Sequence, residues 1–567
     1  MQETVSLVAP LAGRRTHLWR ALVRGVGAVS LAEWALAVLS AALLILSFPD
    51  FNLWPLAWVG LVPLAVAVVR RPRGFQSFLL GWVSGTLFFY GSTYWLTHAM
   101  IHFGGIPRVV AYPLLLPATV ATGFFPGVWC LVLSRTSARW GMGRALALAP
   151  FVWAATEWAR LGVTGQLWNA LGYSQAYTPM LIQAARWGGV YAVGFLIAAV
   201  NAALVFLILK RNARSLASVV SVVAAVAFAT MLDAPPSTEN TPAQASDAAA
   251  VVVAVQPNVS ANFRRTPYET AVLVQRHLTM SADALDAWDA AHSKEQPDVA
   301  LTDDTANVAA TPVAPARVVI WPESPMNFAY TNDSAFREMV GGFAREHRTA
   351  VIFNSLEPAP AGGAYNSAVL INNEGRLVAQ YDKIRLLPFG EYVPLPRWLP
   401  ATWLLAGIVG DFTPGEKYLL MPVGDGDNKS VRAGVFICFE SAFPSIARTF
   451  ADEGADVLVN ISNDGYLGQT PVMRQHLANT VFRAVETNRP VLRVTNTGIS
   501  ALITPRGRVL DATTGFEPAV RTWTVARAID GKTFYTMYGD IFAYACALIS
   551  LLAVAATFGF AQRYVKY

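Results

Sequence analysis

A glutamate, a lysine and a cysteine each follow a short apolar run in the second half of this 567-residue chain. Glu323 comes after Val318-Val319-Ile320-Trp321, Lys383 after Leu377–Tyr381, and Cys438 after Val431–Ile437. Runs of that length, bounded by turn residues, are expected to be buried strands. The region beyond the strand ends is where α/β sheets bind ligands. A carboxylate, an ammonium and a thiol placed there would supply a proton acceptor, a positive partner and a nucleophile, the equipment of covalent acyl transfer. Each residue also has an ordinary reading: a Glu that caps a turn, a Lys in the charged turn Asp382-Lys383-Ile384-Arg385, and a Cys that packs as a small hydrophobe. Cys130 and Cys546, both inside long apolar stretches, are read in that last way.

The elements that must position these groups belong to two different solvents. The chain is 54% hydrophobic and only 14% charged, with a mean hydropathy of +0.39, a balance that points to a membrane protein. Eight stretches approach the roughly 20 apolar residues that a bilayer core requires. They run near 28–48, 52–69, 75–97, 109–134, 145–162, 181–209, 215–232 and 541–560. The first is no cleaved signal peptide, because its apolar core is too long and further stretches follow it. Basic residues gather in alternate loops: Arg14, Arg15, Arg20 and Arg24; Arg70, Arg71 and Arg73; Arg135, Arg139 and Arg144; Lys210, Arg211 and Arg214; Arg563 and Lys566. Positive charge collects on the cytoplasmic side, so both termini are expected inside and the long segment after the seventh stretch outside. The fifteen residues just named, taken from 43 basic residues, leave 28 against 37 acidic ones. The pI near 9.2 therefore belongs to the loops, and nucleic-acid binding is not expected.

The segment between the seventh and eighth stretches has ordinary globular composition. Strands are expected at Val251–Val255, Val318–Trp321, Val351–Asn354, Val431–Cys438, 456–461 and Val491–Val494. Helices are expected near 267–286, 333–347, 444–453 and 471–488. Tyr365–Leu370 and Arg376–Tyr381 flank Asn372-Asn373-Glu374-Gly375, a hairpin turn. Short apolar strands alternating with helices describe a mixed α/β domain whose sheets are covered by helices. Residues 287–316, rich in Ala, Asp, Thr and Pro, are expected to be a surface insertion. Cys438 is the only cysteine of this segment, so no disulfide can form within it, and a free thiol outside the cytoplasm is unusual unless buried or used. At the start of a helix the thiol would also gain from the positive end of the backbone dipole, which favours thiolate.

Trp321-Pro322-Glu323-Ser324, the block Tyr381-Asp382-Lys383-Ile384-Arg385-Leu386-Leu387-Pro388-Phe389-Gly390-Glu391-Tyr392-Val393-Pro394, and Cys438-Phe439-Glu440 resemble the Glu-Lys-Cys pattern of the nitrilase superfamily. Combined with seven apolar stretches before and one after, the chain resembles the apolipoprotein N-acyltransferase family. Phe48-Pro49-Asp50-Phe51-Asn52-Leu53-Trp54-Pro55-Leu56, Glu157-Trp158, Leu171–Gln175, Ile461–Gly465, Gln475-His476 and Thr495–Ser500 continue the likeness. The resemblance implies an α-helical transmembrane bundle of eight spans joined to a nitrilase-like αββα sandwich outside the membrane. The divisions would be 1–233, 234–538 and 539–567. It implies Cys438 as nucleophile, Glu323 as base and Lys383 as oxyanion stabiliser, supported by Glu391, the Phe439 N–H and Asn366. It further implies a phospholipid acyl donor, a diacylglyceryl-prolipoprotein acceptor, a monomer in the bacterial inner membrane, and no cofactor or metal. Phe439 where the family often has Tyr, Tyr466-Leu467 where it commonly has Trp-Phe, and the absence of a Trp in Ser260–Thr266 are departures.

Both substrates are lipids, and drawing an acyl chain into water would cost about 0.8 kcal/mol per methylene. The site is therefore expected to open toward the bilayer. The loop 382–415, with Trp398, Leu399, Trp403, Leu404, Leu405 and Ile408, is expected to reach the interface as a lid, with Trp403 and Leu404 touching substrate. Two other functions remain compatible with these residues: a membrane-tethered nitrilase-type amidase, and a catalytically silent scaffold or transporter. Charged residues in the apolar stretches are few, Glu33 and Glu157 being the notable ones, which gives an ion pathway little to use.

Overall fold

The computed structural model describes residues 29–231, 248–261, 265–292, 315–323, 326–360, 362–394, 398, 410–424, 430–528 and 531–559. The first part is helical. α1 (Leu31–Ser47), α2 (Ala57–Gly60), α3 (Val62–Arg70), α4 (Gly74–Thr93), α5 (Leu96–His102), α6 (Arg108–Trp140), α7 (Met142–Thr164), α8 (Ala185–Lys210) and α9 (Ala213–Met231) follow the apolar stretches of the sequence. Among the described residues, four helices are long and apolar enough to cross a membrane by length and composition: 108–140, 185–210, 213–231 and 541–558. Two more apolar helical segments, Leu31–Ser47 and Trp54–Arg70, are shorter. The second of these is broken into a 3₁₀ turn at Trp54–Leu56 and the two helices α2 and α3. Pro55 and Pro63 stand at helix-starting positions there, where the missing N–H costs nothing.

Both charges that stand out in the apolar stretches have structural uses. Glu33 closes a capping box with Ser30 at the start of α1 and pairs with Arg73 at 3.2 Å, satisfying helix-end donors that would otherwise be orphaned. Glu157 accepts the Leu171 N–H at 2.6 Å, tying α7 to the chain that leads into α8.

Residues 250–525 form two six-stranded sheets. One is ordered β12-β1-β2-β3-β4-β5, with β1 (Ala250–Gln256), β2 (Ala316–Ile320), β3 (Ala350–Pro358), β4 (Ala364–Ile371), β5 (Leu377–Asp382) and β12 (Ala519–Val525). The other is ordered β11-β10-β9-β8-β7-β6, with β6 (Leu420–Val423), β7 (Val431–Ile437), β8 (Val457–Ser462), β9 (Val491–Thr495), β10 (Ala501–Ile503) and β11 (Val509–Leu510). Strands β1–β3 are mutually parallel, as are β7–β9. Parallel strands covered on both faces carry near-continuous apolar runs, and β1 and β8 are buried at every residue.

The strand period of two sorts these side chains into layers. Val252, Ala254, Val318, Ile320, Ile352 and Leu370 point toward the second sheet and share one core with Val435, Ile437, Val459 and Ile461. Val253, Val255, Val319, Val351, Phe353 and Val369 point the other way and pack with residues of α10 (Pro267–His292) and α11 (Ser334–Glu346). α12 (Pro444–Asp452) and α13 (Val472–Thr487) lie with the second sheet, and α14 (Phe534–Tyr538) and α15 (Ile541–Gly559) end the described chain. The result is a helix–sheet–sheet–helix sandwich, as expected. α10 runs six residues past the helix read from sequence, so 287–292 are helical rather than the start of a loop. Of the rest of the expected insertion, 293–314 lies outside the described residues, and Ala316 is the first residue of β2 rather than loop.

α13 is buried from Gln475 to its end because it is clasped between the second sheet and the helical part. Gln475 accepts from the indole N–H groups of Trp95 at 3.1 Å and Trp168 at 2.9 Å. The same side chain donates to the carbonyls of Pro49 at 2.9 Å and Ser92 at 3.0 Å. At the other end, Glu486 accepts the Val190 N–H at 2.9 Å. That amide is freed by the non-helical Gly188-Gly189 step inside α8. Arg483 pairs with Glu486 at 2.8 Å, both fully buried.

Candidate active site

The carboxyl ends of β2, β5, β7 and β8 converge on one region. Glu323 leaves β2 through Trp321-Pro322, Lys383 follows the last residue of β5, and Cys438 follows the last residue of β7. The Lys383 Nζ lies 2.9 Å from Glu391 Oε1 and 3.5 Å from Glu323 Oε1. Asn366, on β4 beside Lys383, forks its amide between both carboxylates, 2.9 Å to Glu323 and 2.7 Å to Glu391. Its own Oδ1 is held at 2.7 Å by Asn354. Glu391 is fixed further by the Leu387 N–H at 2.7 Å. Two carboxylates and one ammonium thus share a pocket in which Lys383 is 1% exposed.

The electrostatics follow from that packing. Burial disfavours the Lys383 ammonium, but Glu323 and Glu391 outweigh it and hold the amine above its usual range, as opposite charges at contact distance do. The Cys438 thiol is pushed well up, first by burial and then by the negative Glu323, while Lys383 pulls the other way. This corrects the sequence expectation of a thiolate. Residues 438–442 are a five-residue 3₁₀ turn, too short to supply the helix dipole that the sequence reading invoked. The resting sulfur therefore carries its proton, and a base is needed to remove it.

Cys438 has φ +52°, the left-handed region that costs a non-glycine residue about 1–3 kcal/mol and persists where surroundings over-determine it. Glu440, fully buried, does the over-determining. It accepts the Ile437 N–H at 2.8 Å, the Ile384 and Arg385 N–H groups at 2.8 and 3.0 Å, and the Tyr381 hydroxyl at 2.9 Å. One carboxylate thereby ties the end of β7 to the end of β5, which fixes the thiol relative to the ammonium.

The structure brings together Glu323, Lys383, Cys438, Glu391 and Asn366, with Phe439 half-buried beside them. The Phe439 ring stacks on Trp168 of the helical part at 6.0 Å and 17°. Trp398 is 79% exposed. Trp403 and Leu404, with Leu399, Leu405 and Ile408, lie outside the described residues. Sequence reasoning did not give roles to Glu440, His476, Asp464 or Tyr466. Glu440 sits inside the Cys-Phe-Glu motif and could have been flagged there. Tyr466 is noted in the sequence only as a departure, yet burial, and after it Glu323 and Cys438, push its hydroxyl up. Among the described residues no group of three or more His, Cys, Asp or Glu is arranged to hold a metal.

With that geometry in hand, comparisons with known proteins are specific. Residues 40–203 match the family described as apolipoprotein N-acyltransferase N-terminal domain, and residues 243–529 match carbon-nitrogen hydrolase. An apolipoprotein N-acyltransferase of Geobacter metallireducens is 32% identical over 548 residues, covering 94% of this chain and 96% of that protein. Proteins of the same name from Allorhizobium ampelinum and Chlorobaculum tepidum are 30% and 29% identical, covering 77% and 92% of this chain and 78% and 96% of their own lengths. Among solved structures, an amidase from Nesterenkonia sp. superposes with a TM-score of 0.35 and 16% identity, over 54% of this chain and 99% of that one.

Proposed function

The chain belongs to the apolipoprotein N-acyltransferase family, and on that premise we propose that it moves an acyl chain from a phospholipid, through a thioester on Cys438, to the α-amine of a lipoprotein's N-terminal diacylglyceryl-cysteine. The observation that carries this reading is the meeting of Glu323, Lys383 and Glu391 beside Cys438 at the strand ends, with Lys383 2.9 and 3.5 Å from the two carboxylates.

In the first half-reaction Glu323 takes the thiol proton and the sulfur attacks the ester carbonyl. The developing oxyanion is met by Lys383 and the Phe439 N–H, each such donor contributing about 3–4 kcal/mol. The carbon–oxygen ester bond breaks, and Glu323 returns its proton to the departing lysophospholipid oxygen. In the second half-reaction the lipoprotein amine attacks the thioester, Glu323 removes an amine proton, the carbon–sulfur bond breaks, and the thiolate regains a proton as the amide leaves. One site serving two substrates in turn gives ping-pong kinetics. Glu391 and Asn366 orient Lys383 and Glu323 and are positioning residues. Burial of Lys383 and Glu391 strengthens these interactions.

The arrangement of basic loops supports eight spans in a bacterial inner membrane, with both termini cytoplasmic and the sandwich periplasmic. Divisions at 1–233, 234–538 and 539–567 fit the described elements, and a single copy contains the whole pocket. The test is transfer of a labelled acyl chain from phospholipid in proteoliposomes to a synthetic diacylglyceryl-cysteine peptide. The wild type is expected to label the peptide and Cys438→Ala to leave it unlabelled. Free fatty acid released in place of peptide labelling would instead indicate a hydrolase.

A further inference from the structure

Behind the Cys438–Phe439 peptide lies a closed ring of buried polar side chains that the reaction steps above do not use. The Cys438 carbonyl accepts from His476 Nε2 at 2.9 Å and from Asn460 Nδ2 at 3.5 Å. The other imidazole nitrogen, Nδ1, is 2.8 Å from Asp464 Oδ1. Asp464 Oδ2 accepts from Arg493 at 3.0 Å, and Arg493 donates back to Asn460 Oδ1 at 2.5 Å. The circuit therefore returns to the carbonyl where it began. Asn460 stands on β8, Asp464 just past its end, His476 on α13 and Arg493 on β9, so β8 and α13 both reach one backbone oxygen and β9 braces the groups behind it. His476 is 2% exposed, and Asn460 and Arg493 are fully buried. From the helical part Trp168 covers the imidazole at 5.6 Å while stacking on Phe439.

The consequence follows from peptide geometry. In a trans peptide the carbonyl and the next N–H point in opposite directions. Whatever anchors the Cys438 oxygen therefore also aims the Phe439 N–H, the backbone donor of the proposed oxyanion hole. A carbonyl only accepts, so the proton at that end of the imidazole sits on Nε2, while Nδ1 faces the Asp464 carboxylate. We propose that His476 is a positioning residue for acyl transfer: by donating from Nε2 to the Cys438 carbonyl, it holds the Phe439 N–H on the oxyanion. Oxyanion donors act in the transition state rather than on bound substrate, so KM for phospholipid should be little affected.

This inference rests on the thioester reading, and the test separates the two. The rate of Cys438 acylation by phospholipid is compared with the rate of Cys438 alkylation by iodoacetamide. Both reactions need the thiolate, but only acylation forms an oxyanion. Two substitutions divide the imidazole's roles: His476→Gln keeps an N–H where Nε2 stood, and His476→Asn keeps one where Nδ1 stood. The expected result, scaled to loss of one oxyanion donor, is an acylation-to-alkylation ratio about 100-fold lower in His476→Asn and only about 3- to 10-fold lower in His476→Gln. An unchanged ratio in both variants, or Asn performing as well as Gln, would overturn the role given to His476. If only the Gln variant folds, a fallen ratio supports the role and an unchanged ratio overturns it. A wild type that alkylates but never acylates would sink the thioester reading itself.

Discussion

A buried thiol pushed upward by Glu323 behaves differently from one activated by a helix dipole. Because the neutral form persists to higher pH when an acid's pKa is raised, the iodoacetamide rate at Cys438 should keep climbing above pH 8. A plateau reached near pH 6 would mean a resting thiolate. Lys383 can be tested just as directly. Lys383→Met leaves Glu323 and Glu391 facing each other across Asn366 with no cation between them, and acylation should fall about 10²- to 10³-fold, as for loss of an oxyanion donor. Lys383→Arg should not restore it, because the planar fork does not replace a point charge 2.9 Å from one carboxylate and 3.5 Å from another. Single-turnover acylation measures both. The placement of Glu323, Lys383 and Cys438 just beyond strand ends was legible in the sequence because each follows a β-branched or apolar run bounded by turn residues. The thiol's protonation state was not, since it depends on a carboxylate arriving from 115 residues away in the chain and on a turn being 3₁₀ rather than α-helical.

At the scale of elements, the site is held by side chains that join strand ends. Glu440 takes three backbone N–H groups and a hydroxyl with two oxygens. Glu440→Gln would turn one of those oxygens into a donor facing donors, and a buried unsatisfied group costs about 1–3 kcal/mol. Thermal unfolding should register that loss, and acylation should fall with it as β5 and β7 lose their tie; unchanged melting would remove the role given to Glu440. The apolar stretches predicted the helices closely in position. Pro55 and Pro63, which divide one stretch into three pieces, were visible as residues but not as breaks. The principal strands were also legible, whereas β6 and β10–β12 were not. These are edge or peripheral strands of two to seven residues, too short or too exposed for an apolar run to mark them.

Over the whole molecule, the decisive contacts cross from the helical part to the sandwich. Gln475 bonds two indoles and two carbonyls contributed by Pro49, Ser92, Trp95 and Trp168. Gln475→Ala should lower the melting temperature in detergent by an amount corresponding to about 2–6 kcal/mol, given about 1–3 kcal/mol for each of the two groups left unpaired, the Trp168 indole N–H and the Pro49 carbonyl. It should also slow acyl transfer, because Trp168 leans on both Phe439 and His476; an unchanged melting curve and rate would mean that the two parts need no such joint. No sequence pattern announces a contact between residues 380 apart, so this joint was invisible beforehand even though the Gln475-His476 pair was noted. The order of an apolar helical part before an α/β part, by contrast, was readable from hydropathy, because bilayer thickness acts on local composition. All three scales meet in one claim, that Cys438 carries the acyl chain between two lipid substrates. Intact-mass measurement of the purified protein after exposure to phospholipid alone tests it most directly. A mass increment of one fatty-acyl group, removed by hydroxylamine and absent from Cys438→Ala, is the predicted result. No increment in the wild type, or one that survives in Cys438→Ala, would contradict it.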